Sequence, residues 1–212
     1  MTFSVHNKAI FDKHADEYRS AEYSRADEIV LVDRYFTERP ARVLVGGAGG
    51  GRTLPMFLDR GFEVTAVDIA PAMVAAIRER FGTRVQALQQ DIQRTDFDNA
   101  VFDYVFLPFH TVCYVDDIDV TIRELSRITK PGGIVIANAL NHFFLKSIAD
   151  GSFLQGKDRL IRMHRDRDAD SVLTHCLSIC DAGRFRRFFQ SVRVYGRTGL
   201  QEGPPANWKA AL

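Results

Sequence analysis

Five of the fifteen glycines in this chain of 212 residues lie within the six positions 46–51. They directly follow the short β-branched run Arg42–Val45, which predicts a buried strand that ends at the glycines. Ligands of open α/β sheets bind in the crevice at the carboxyl ends of the strands. Glycines at such a position lack a Cβ atom, so a ligand can approach the backbone closely. The cluster therefore predicts a ligand-binding loop in an α/β fold.

Strand and helix patterns alternate on both sides of this loop. The second strand is expected at 62–67, and a helix should begin at Pro71 and end near Phe81. Further strands are expected at 85–88, 102–107 and 134–139, and helices around residues 54–58 and over 118–129. Residues 1–39 look helical, with Ser24 as the N-cap of a second helix. Alternation of this kind is typical of a parallel sheet with right-handed crossovers.

The last third of the chain is less regular. A helix is expected at 141–150, a strand at 172–179, a helix at 182–189 and a last strand at 192–195. We therefore expect an α/β, Rossmann-like three-layer sandwich whose mostly parallel sheet has seven strands or a shortened set. Its parts should be an N-terminal helical cover (1–39), a ligand-binding core (40–140), a cap or lid insertion (141–180), and the end of the core sheet with a tail (181–212).

Composition excludes several other classes. No apolar run approaches the roughly 18 residues that span a bilayer, so no membrane insertion is expected. Six charged residues in the first twenty argue against a signal peptide. Three cysteines are too few for a disulfide framework, which favours a reducing, cytoplasmic location. A net charge of +1 gives no reason to expect nucleic-acid binding, and a homodimer is compatible with the sequence.

The spacing of the glycines distinguishes between ligands. A dinucleotide fingerprint needs G-x-G-x-x-G, and a Walker loop needs a lysine where this chain has Arg52. The pattern that fits is G-x-G-x-G, formed by Gly47, Gly49 and Gly51. Asp68 ends the second strand, where a carboxylate can accept hydrogen bonds from both hydroxyls of a ribose. Asp91 follows the third strand and could accept a hydrogen bond from an adenine amino group.

These motifs together resemble the class I S-adenosylmethionine-dependent methyltransferases, in particular the small-molecule group that includes the quinone-biosynthesis methyltransferases. The resemblance covers about residues 10–140. It rests on Phe11–Tyr18, Val43–Gly51, Val67–Met73, Gln90–Ile92, Phe102–Phe106 and Glu124–Gly133, which occur in the family's order and spacing. One position departs from the pattern: members of the family have an acidic residue where this chain has Val45. We expect weaker or water-mediated cofactor binding at that point.

The resemblance implies S-adenosyl-L-methionine as the cofactor and S-adenosyl-L-homocysteine as the product. Asp68 would hold the ribose, Asp91 would bind the adenine amino group, and Leu107 would offer backbone contacts near the amino and carboxylate groups. Tyr18 or Arg19 would close over the methionine end of the cofactor. The remaining contacts implied are Gly47, Ala48, Gly49 and Gly51 under the methionine, and Ile69, Met73 and Ile92 near the adenine. Considered alone, Met73 is better explained as a core residue, and Tyr18 is equally well explained as a packing residue.

Three residues are candidates for handling the acceptor's proton. His110 follows the fourth strand, where the family faces the transferable methyl group, and is the first candidate for a base or a substrate hydrogen-bond donor. His142 follows the fifth strand, and Tyr23 lies in the turn between the two N-terminal helices. Each could equally be a surface or capping residue. No metal site is expected, because Cys176 and Cys180 have no further ligands at suitable spacing.

Charge is distributed unevenly along the chain. Residues 157–167 carry five basic and two acidic side chains, whereas residues 85–119 carry seven acidic side chains and one arginine. The basic segment is either a solvated face or a lid in which Arg162 and Arg165 bind an anionic substrate. We therefore expect methyl transfer to an oxygen or nitrogen of a small, anionic metabolite. A nucleic-acid methyltransferase and a non-catalytic cofactor-binding module of the same fold are the alternatives.

Overall fold

The computed structural model describes residues 2–19, 24–140, 158–162, 171–177 and 179–195. Five parallel strands form the central sheet in the order β3-β2-β1-β4-β5. Their bounds are β1 Arg42–Gly46, β2 Glu63–Asp68, β3 Val85–Gln89, β4 Phe102–Leu107 and β5 Thr129–Ala137. The register pairs Val45 of β1 with Ala66 on one side and with Phe106 on the other. The first strand is therefore central, which places its glycine loop in the middle of the sheet's carboxyl edge.

Seven helices surround the strands in the described part of the chain. Their bounds are α1 Phe3–Lys13, α2 Ala15–Arg19, α3 Ala26–Tyr35, α4 Leu54–Leu58, α5 Pro71–Phe81, α6 Ile118–Ile128 and α7 Ala182–Phe185. None of them is long and apolar enough to cross a membrane. Two more strands, β6 Asp158–Arg162 and β7 Ser171–His175, pair antiparallel in a separate small sheet.

Alternation along the strands creates two apolar layers. Val43 and Val45 of β1 pack into one fully buried cluster with Val32 of α3, Phe57 of α4 and Ile77 of α5. Leu44, between the two valines, points to the opposite face. There it packs in a second buried cluster, which includes Ile122, Leu125 and Ile128 of α6. Because neighbouring side chains of a strand point to opposite faces, a strand buried on both sides is apolar at every position. The arrangement confirms a three-layer, Rossmann-like α/β sandwich.

The structure differs from the sequence expectations at several element ends. The cap of α3 is Arg25 rather than Ser24, and Glu28 accepts a hydrogen bond from the Arg25 backbone N–H at 2.9 Å. Strand β5 begins at Thr129, five residues before the expected start at Ile134. The turn-forming residues Pro131–Gly133 do end α6, but they form a bulge inside the strand, where the pairing with β4 shifts register. Local composition therefore located the break correctly but not the start of pairing.

The C-terminal third departs further from the expectations. Residues 191–195 form no regular structure, so the strand expected at 192–195 is wrong. The expected helix at 182–189 is only the single turn α7, and the strand expected at 172–179 is β7, over Ser171–His175. Strand β6 lies inside the charged segment in which the pattern showed no strand. The described residues place five strands in the main sheet, and the expectation of seven stays a prediction.

The N-terminal helices and the small sheet are joined. The side-chain amide of Asn7 in α1 donates to the carbonyl of Leu173 in β7 and accepts from its N–H, both at 2.8 Å. These are the two hydrogen bonds that a neighbouring strand would make with that residue. Phe3 stacks on His175, with ring centroids 4.4 Å apart. Helix α1 is thus fixed to β7, beside the carboxyl edge of the main sheet.

Candidate functional site

The loop after β1 combines close packing with an open side. Gly47, Gly49 and Gly51 have φ values of 63°, 54° and 85°, in the left-handed region where glycine is favoured. A Cβ atom at Gly47 would collide with the side chain of Thr111, and one at Gly51 would lie 2.7 Å from Phe81. A Cβ atom at Gly49 would meet nothing within 4 Å. The middle of the loop therefore leaves its backbone accessible to a ligand.

Asp68 is joined to this loop at the end of β2. Its Oδ2 accepts from the Gly49 N–H at 2.8 Å, and its Oδ1 accepts from the Ala70 N–H at 2.9 Å. Burial raises the pKa of Asp68 to about 6, although the two backbone hydrogen bonds oppose that shift, and the nearby charge of Asp12 adds to it. Each carboxylate oxygen keeps a lone pair for another donor. With this pKa the carboxylate is mostly ionised at pH 7, and it lies beside Gly49.

Asp91 is held by a residue that the sequence patterns did not single out. The side-chain amide of Gln93 donates to Asp91 Oδ1 and Oδ2 at 3.2 Å and 3.0 Å, and its oxygen accepts from the Asp117 N–H at 2.8 Å. The same amide group donates to the Ser4 hydroxyl of α1 at 3.0 Å. Ile92 is buried in the cluster beneath α6, against Gly46. The network ties the loop after β3 to the N-terminal cover.

The residues implied near the adenine and the methionine meet at the start of α5. Met73 is buried in a small cluster with Ala15 and Ala70, and Tyr18 packs on that cluster. Asp12 of α1 accepts a hydrogen bond from the Ala72 N–H at 3.2 Å. Ile69 is half-buried, and Arg19 belongs to α2. The helices α1 and α2 therefore cover the segment that follows Asp68, as the resemblance implies, while the individual ligand contacts stay predictions.

The segment after β4 adopts a strained conformation. Phe109 and His110 have φ values of 51° and 66°, which are uncommon for residues other than glycine and cost energy. The Leu107 carbonyl accepts from the Asn138 N–H at 3.1 Å, so the ends of β4 and β5 are joined. The buried Nδ1 atom of His110 has no hydrogen-bond partner within the described ranges. Burial, and secondarily the charge of Arg25, lower the pKa of His110, which favours a neutral imidazole able to accept a proton.

Several candidates cannot be compared with the structure. Tyr23, His142 and Arg165 lie outside the described residues, and only the backbone of Arg162 is described, as the last residue of β6. Of the cysteines, Cys113 is a buried thiol whose pKa is raised by burial to about 12, and Cys180 is exposed. Within the described ranges, no three His, Cys, Asp or Glu side chains form a group that could hold a metal ion.

A buried ion pair is the second feature that the sequence patterns missed. Glu28 of α3 is fully buried, and its carboxylate accepts from both terminal guanidinium nitrogens of Arg52, at 2.8 Å and 2.7 Å. Arg52 directly follows Gly51, and its guanidinium lies 5.2 Å from the ring centroid of Phe109. Asn138 adds a hydrogen bond of 3.4 Å to the same carboxylate. The two partners are 24 positions apart in the chain, so no local pattern reveals the pair.

Comparison with known proteins agrees with this geometry. Residues 44–137 match a family described as "Methyltransferase domain". The matched range contains the glycine loop, Asp68, Asp91 and His110. The chain is 32% identical over 133 residues to a malonyl-[acyl-carrier protein] O-methyltransferase of Enterobacter lignolyticus, covering 62% of this chain and 52% of that protein. Residues 44–137 are thus similar to the methyltransferase domains of the class I S-adenosylmethionine-dependent type.

Other relatives define how far this likeness reaches. A demethylmenaquinone methyltransferase of Thermobifida fusca is 31% identical over 147 residues, covering 63% of this chain and 61% of that protein. The chain spans about half the length of the curated malonyl-[acyl-carrier protein] relatives it matches. Among solved structures, the methyltransferase fold resembles a Burkholderia thailandensis 1,6-didemethyltoxoflavin-N1-methyltransferase bound to S-adenosylhomocysteine. The TM-score is 0.61 at 21% identity, covering 87% of this chain and 76% of that one.

The fold by itself does not define the reaction. The chain also resembles the [4+2]-cyclase SpnF, with a TM-score of 0.54 and 21% identity, covering 76% of this chain and 54% of that one. Folds of this type support several chemistries, so function must be argued from the site. The methyltransferase domain takes S-adenosylmethionine as its cofactor. Its residues fit that cofactor, because Asp68 suits the ribose and the open side of Gly49 admits a chain close to the backbone.

Proposed function

We propose that the protein transfers a methyl group from S-adenosylmethionine to an oxygen or nitrogen atom of a small anionic metabolite. The observation that carries the proposal is the hydrogen bond that joins the glycine loop to Asp68. A buried carboxylate accepts a hydrogen bond from Gly49, the glycine of this loop at which a Cβ atom would meet nothing within 4 Å. The carboxylate also accepts from the Ala70 N–H at the start of α5, so Asp68 joins the glycine loop to the helix that follows β2.

The bound cofactor supplies the electrophilic methyl group and the leaving group of the reaction. The chain's own residues bind and orient the cofactor and exclude water from the site. Gly49 gives the methionine half close access to the backbone, while Gly47 and Gly51 let the loop turn and pack against Thr111 and Phe81. Asp68 accepts hydrogen bonds from the ribose hydroxyls. Helices α1 and α2 cover the segment beside Asp68 and limit access of water. In this proposal residues 1–39 form the whole cover, and residues 141–180 form a cap over the substrate.

His110 is the proposed proton acceptor. Its strained position after β4 is the kind of conformation that persists at functional sites. If the acceptor is a hydroxyl group, the neutral imidazole takes its proton as the oxygen forms the bond to the methyl carbon. An ammonium group first gives a proton to the imidazole, and the nitrogen lone pair that this leaves then attacks the methyl carbon. A carboxylate acceptor needs no base, and His110 would then donate a hydrogen bond to it. His142 and Tyr23 remain the further candidates for this role.

The choice of acceptor rests on charge and on the relatives' names. The basic segment 157–167 supports an anionic acceptor, with Arg162 and Arg165 as its proposed contacts. Relatives named as O-methyltransferases support an oxygen acceptor, and the toxoflavin enzyme is named for transfer to nitrogen. The thiol of Cys113, which forms no disulfide, supports a reducing compartment.

Cofactor binding is the first test of the proposal. Isothermal titration calorimetry with S-adenosylmethionine and S-adenosylhomocysteine should show binding at one site, and Asp68→Asn should weaken it at least tenfold. Gln89→Glu is a matched control, because Gln89 pairs with Asp68 in the sheet and is exposed. Absence of binding at millimolar cofactor would refute the proposal.

Methyl transfer is the second test. A panel of carboxylates, phosphonates, phenols and amines, together with short DNA and RNA, should be incubated with S-adenosylmethionine and analysed by mass spectrometry. The expected product gains one CH2 unit and comes from an anionic small molecule. Methylated nucleic acid would favour the nucleic-acid alternative, and cofactor binding without transfer to any acceptor would favour a non-catalytic module.

The anion-binding segment has a test of its own. Arg162→Ala and Arg165→Ala should raise the acceptor KM about tenfold, with kcat within twofold, because an arginine that only binds the acceptor acts on affinity. Arg123→Ala is the control, since Arg123 lies on α6, beside the ring of Phe188. An acceptor KM unchanged in both lid variants would exclude the proposed contacts.

A further inference from the structure

We propose that Glu28 is a positioning residue for the methionine half of the cofactor, acting through Arg52 at the end of the glycine loop. The inference rests on the proposed function and adds a residue from the N-terminal cover to its cofactor site. Its basis is the ion pair between the fully buried Glu28 and the largely buried Arg52, together with the elements that this pair joins.

The carboxylate of Glu28 accepts hydrogen bonds from several segments of the chain. It accepts hydrogen bonds from the Arg25 backbone, from two nitrogens of Arg52 and from the Asn138 side chain. These donors belong to the start of α3, to the residue after Gly51 and to the segment after β5. Phe109, after β4, lies against the Arg52 guanidinium. The carboxylate therefore joins three chain segments at the carboxyl edge of the sheet, and Arg52 adds a contact with a fourth.

The position of this pair in the sheet separates it from the adenosine-binding side. Strand order places β2 and β3, which carry Asp68 and Asp91, on one side of β1. Strands β4 and β5, which carry Phe109 and Asn138, lie on the other side. The glycine loop follows the central strand, between the two sides. An effect of Glu28 should therefore reach the methionine half of the cofactor without changing the adenosine half.

Stability gives no sufficient reason for the pair. Burying two charges carries a desolvation penalty that their attraction offsets only with excellent geometry and additional hydrogen bonds, and apolar replacements of such pairs are often neutral for stability. The side chain of Val45, at the end of β1, is fully buried in the apolar core and presents no charge to the loop. Glu28 and Arg52 therefore add charges beside the loop to those of Asp68, which accepts from the Gly49 N–H, and of Arg80, which donates to the Gly50 carbonyl at 2.6 Å. We infer a role in placing the loop rather than in holding the fold.

The test compares S-adenosylhomocysteine with adenosine, which lacks the methionine half. Glu28→Gln keeps the size of the side chain and removes its charge. Its dissociation constant for S-adenosylhomocysteine should rise about tenfold, the loss expected for one hydrogen bond to a charged group. Its dissociation constant for adenosine should change less than twofold. Calorimetry measures both constants on the full chain.

Two further variants keep the test decisive. The double variant Glu28→Met with Arg52→Met removes both charges without leaving one unpaired, so it should fold and should show the same selective loss. Asp33→Asn is the matched control, because Asp33 lies on the same helix and forms a bidentate pair with Arg60 on the exposed side. That control should bind both ligands as the wild type does.

Each outcome decides the question. An unchanged ratio of the two dissociation constants in Glu28→Gln and in the double variant, whatever happens to the melting temperature, would overturn the positioning role and leave the proposed function intact. Wild-type protein that binds adenosine but not S-adenosylhomocysteine would refute the proposed function, and this inference with it. A selective loss in the Glu28 variants alone would support both.

Discussion

Lowering the pH from 7 to 5 should weaken S-adenosylhomocysteine binding about tenfold, and Asp68 should account for the change. Burial raises the pKa of Asp68 in the free protein to about 6. A ribose donates its hydroxyl hydrogens to the ionised form of the carboxylate, which lowers the pKa in the complex. Protons therefore compete with the ligand, and affinity falls as the pH drops through the pKa of the free protein.

The magnitude follows from the two pKa values. If the ribose returns the pKa to its ordinary 3.8, the protonated fraction of the free protein sets the loss. At pH 7 about a tenth of the sites carry the proton, and at pH 5 about nine tenths do. The ratio is about tenfold in affinity, or ~1.4 kcal/mol.

The contribution of Asp68 to folding stability depends on pH in the opposite direction from its contribution to ligand affinity. The folded protein without ligand holds this proton more tightly than the unfolded chain, whose pKa is the ordinary 3.8. The stabilisation from this group is therefore complete below about pH 4 and is lost as the pH rises through 6, by up to ~3 kcal/mol. Affinity should rise with pH over the same interval in which this contribution to stability falls.

Calorimetric titrations between pH 5 and 8 measure the first effect, and urea unfolding of the ligand-free protein measures the second. Asp68→Asn should bind more weakly with no slope over this range. His110→Gln should keep the slope, because it removes the other histidine-range titration near the site. A wild-type affinity that is flat with pH, or an equal slope in Asp68→Asn, would refute the reasoning.

The remaining predictions concern three other positions. Gly49→Ala should abolish measurable S-adenosylhomocysteine binding, whereas the control Gly61→Ala should bind this ligand as the wild type does. Both glycines have positive φ and open surroundings, so each variant should lose a similar ~1 kcal/mol of stability in thermal unfolding. His110→Gln should reduce kcat at least tenfold for a hydroxyl or amine acceptor and leave S-adenosylhomocysteine affinity unchanged. In the wild type, kcat/KM should decrease only when the pH is lowered below the ordinary histidine pKa of 6.5. Gln93→Ala should weaken adenosine binding several-fold by releasing Asp91, and equal adenosine affinity in calorimetry would contradict that role.

The structure adds to the sequence analysis where distant segments meet. Gln93 and Glu28 act on Asp91 and Arg52 through side-chain contacts, and neither contact belongs to a motif. The strand β6 lies in a segment of charged residues, because its pairing with β7 does not require an apolar face on both sides. Residues 192–195 have a short β-branched pattern but form no strand. Such a pattern forms a strand only when a neighbouring strand edge is available for pairing.

The sequence by itself determined the parallel core and the position of the ligand-binding loop. Both follow from local rules: strands buried on two faces are apolar at every position, and glycine alone readily adopts the left-handed turn after β1. Tertiary structure decided which side chains control the site. The pairing of Glu28 with Arg52, the support of Asp91 by Gln93 and the contact of Gly47 with Thr111 each join residues from different elements. Packing of α1, α3 and the β4 loop against the sheet edge brings them together, and that packing depends on the whole core.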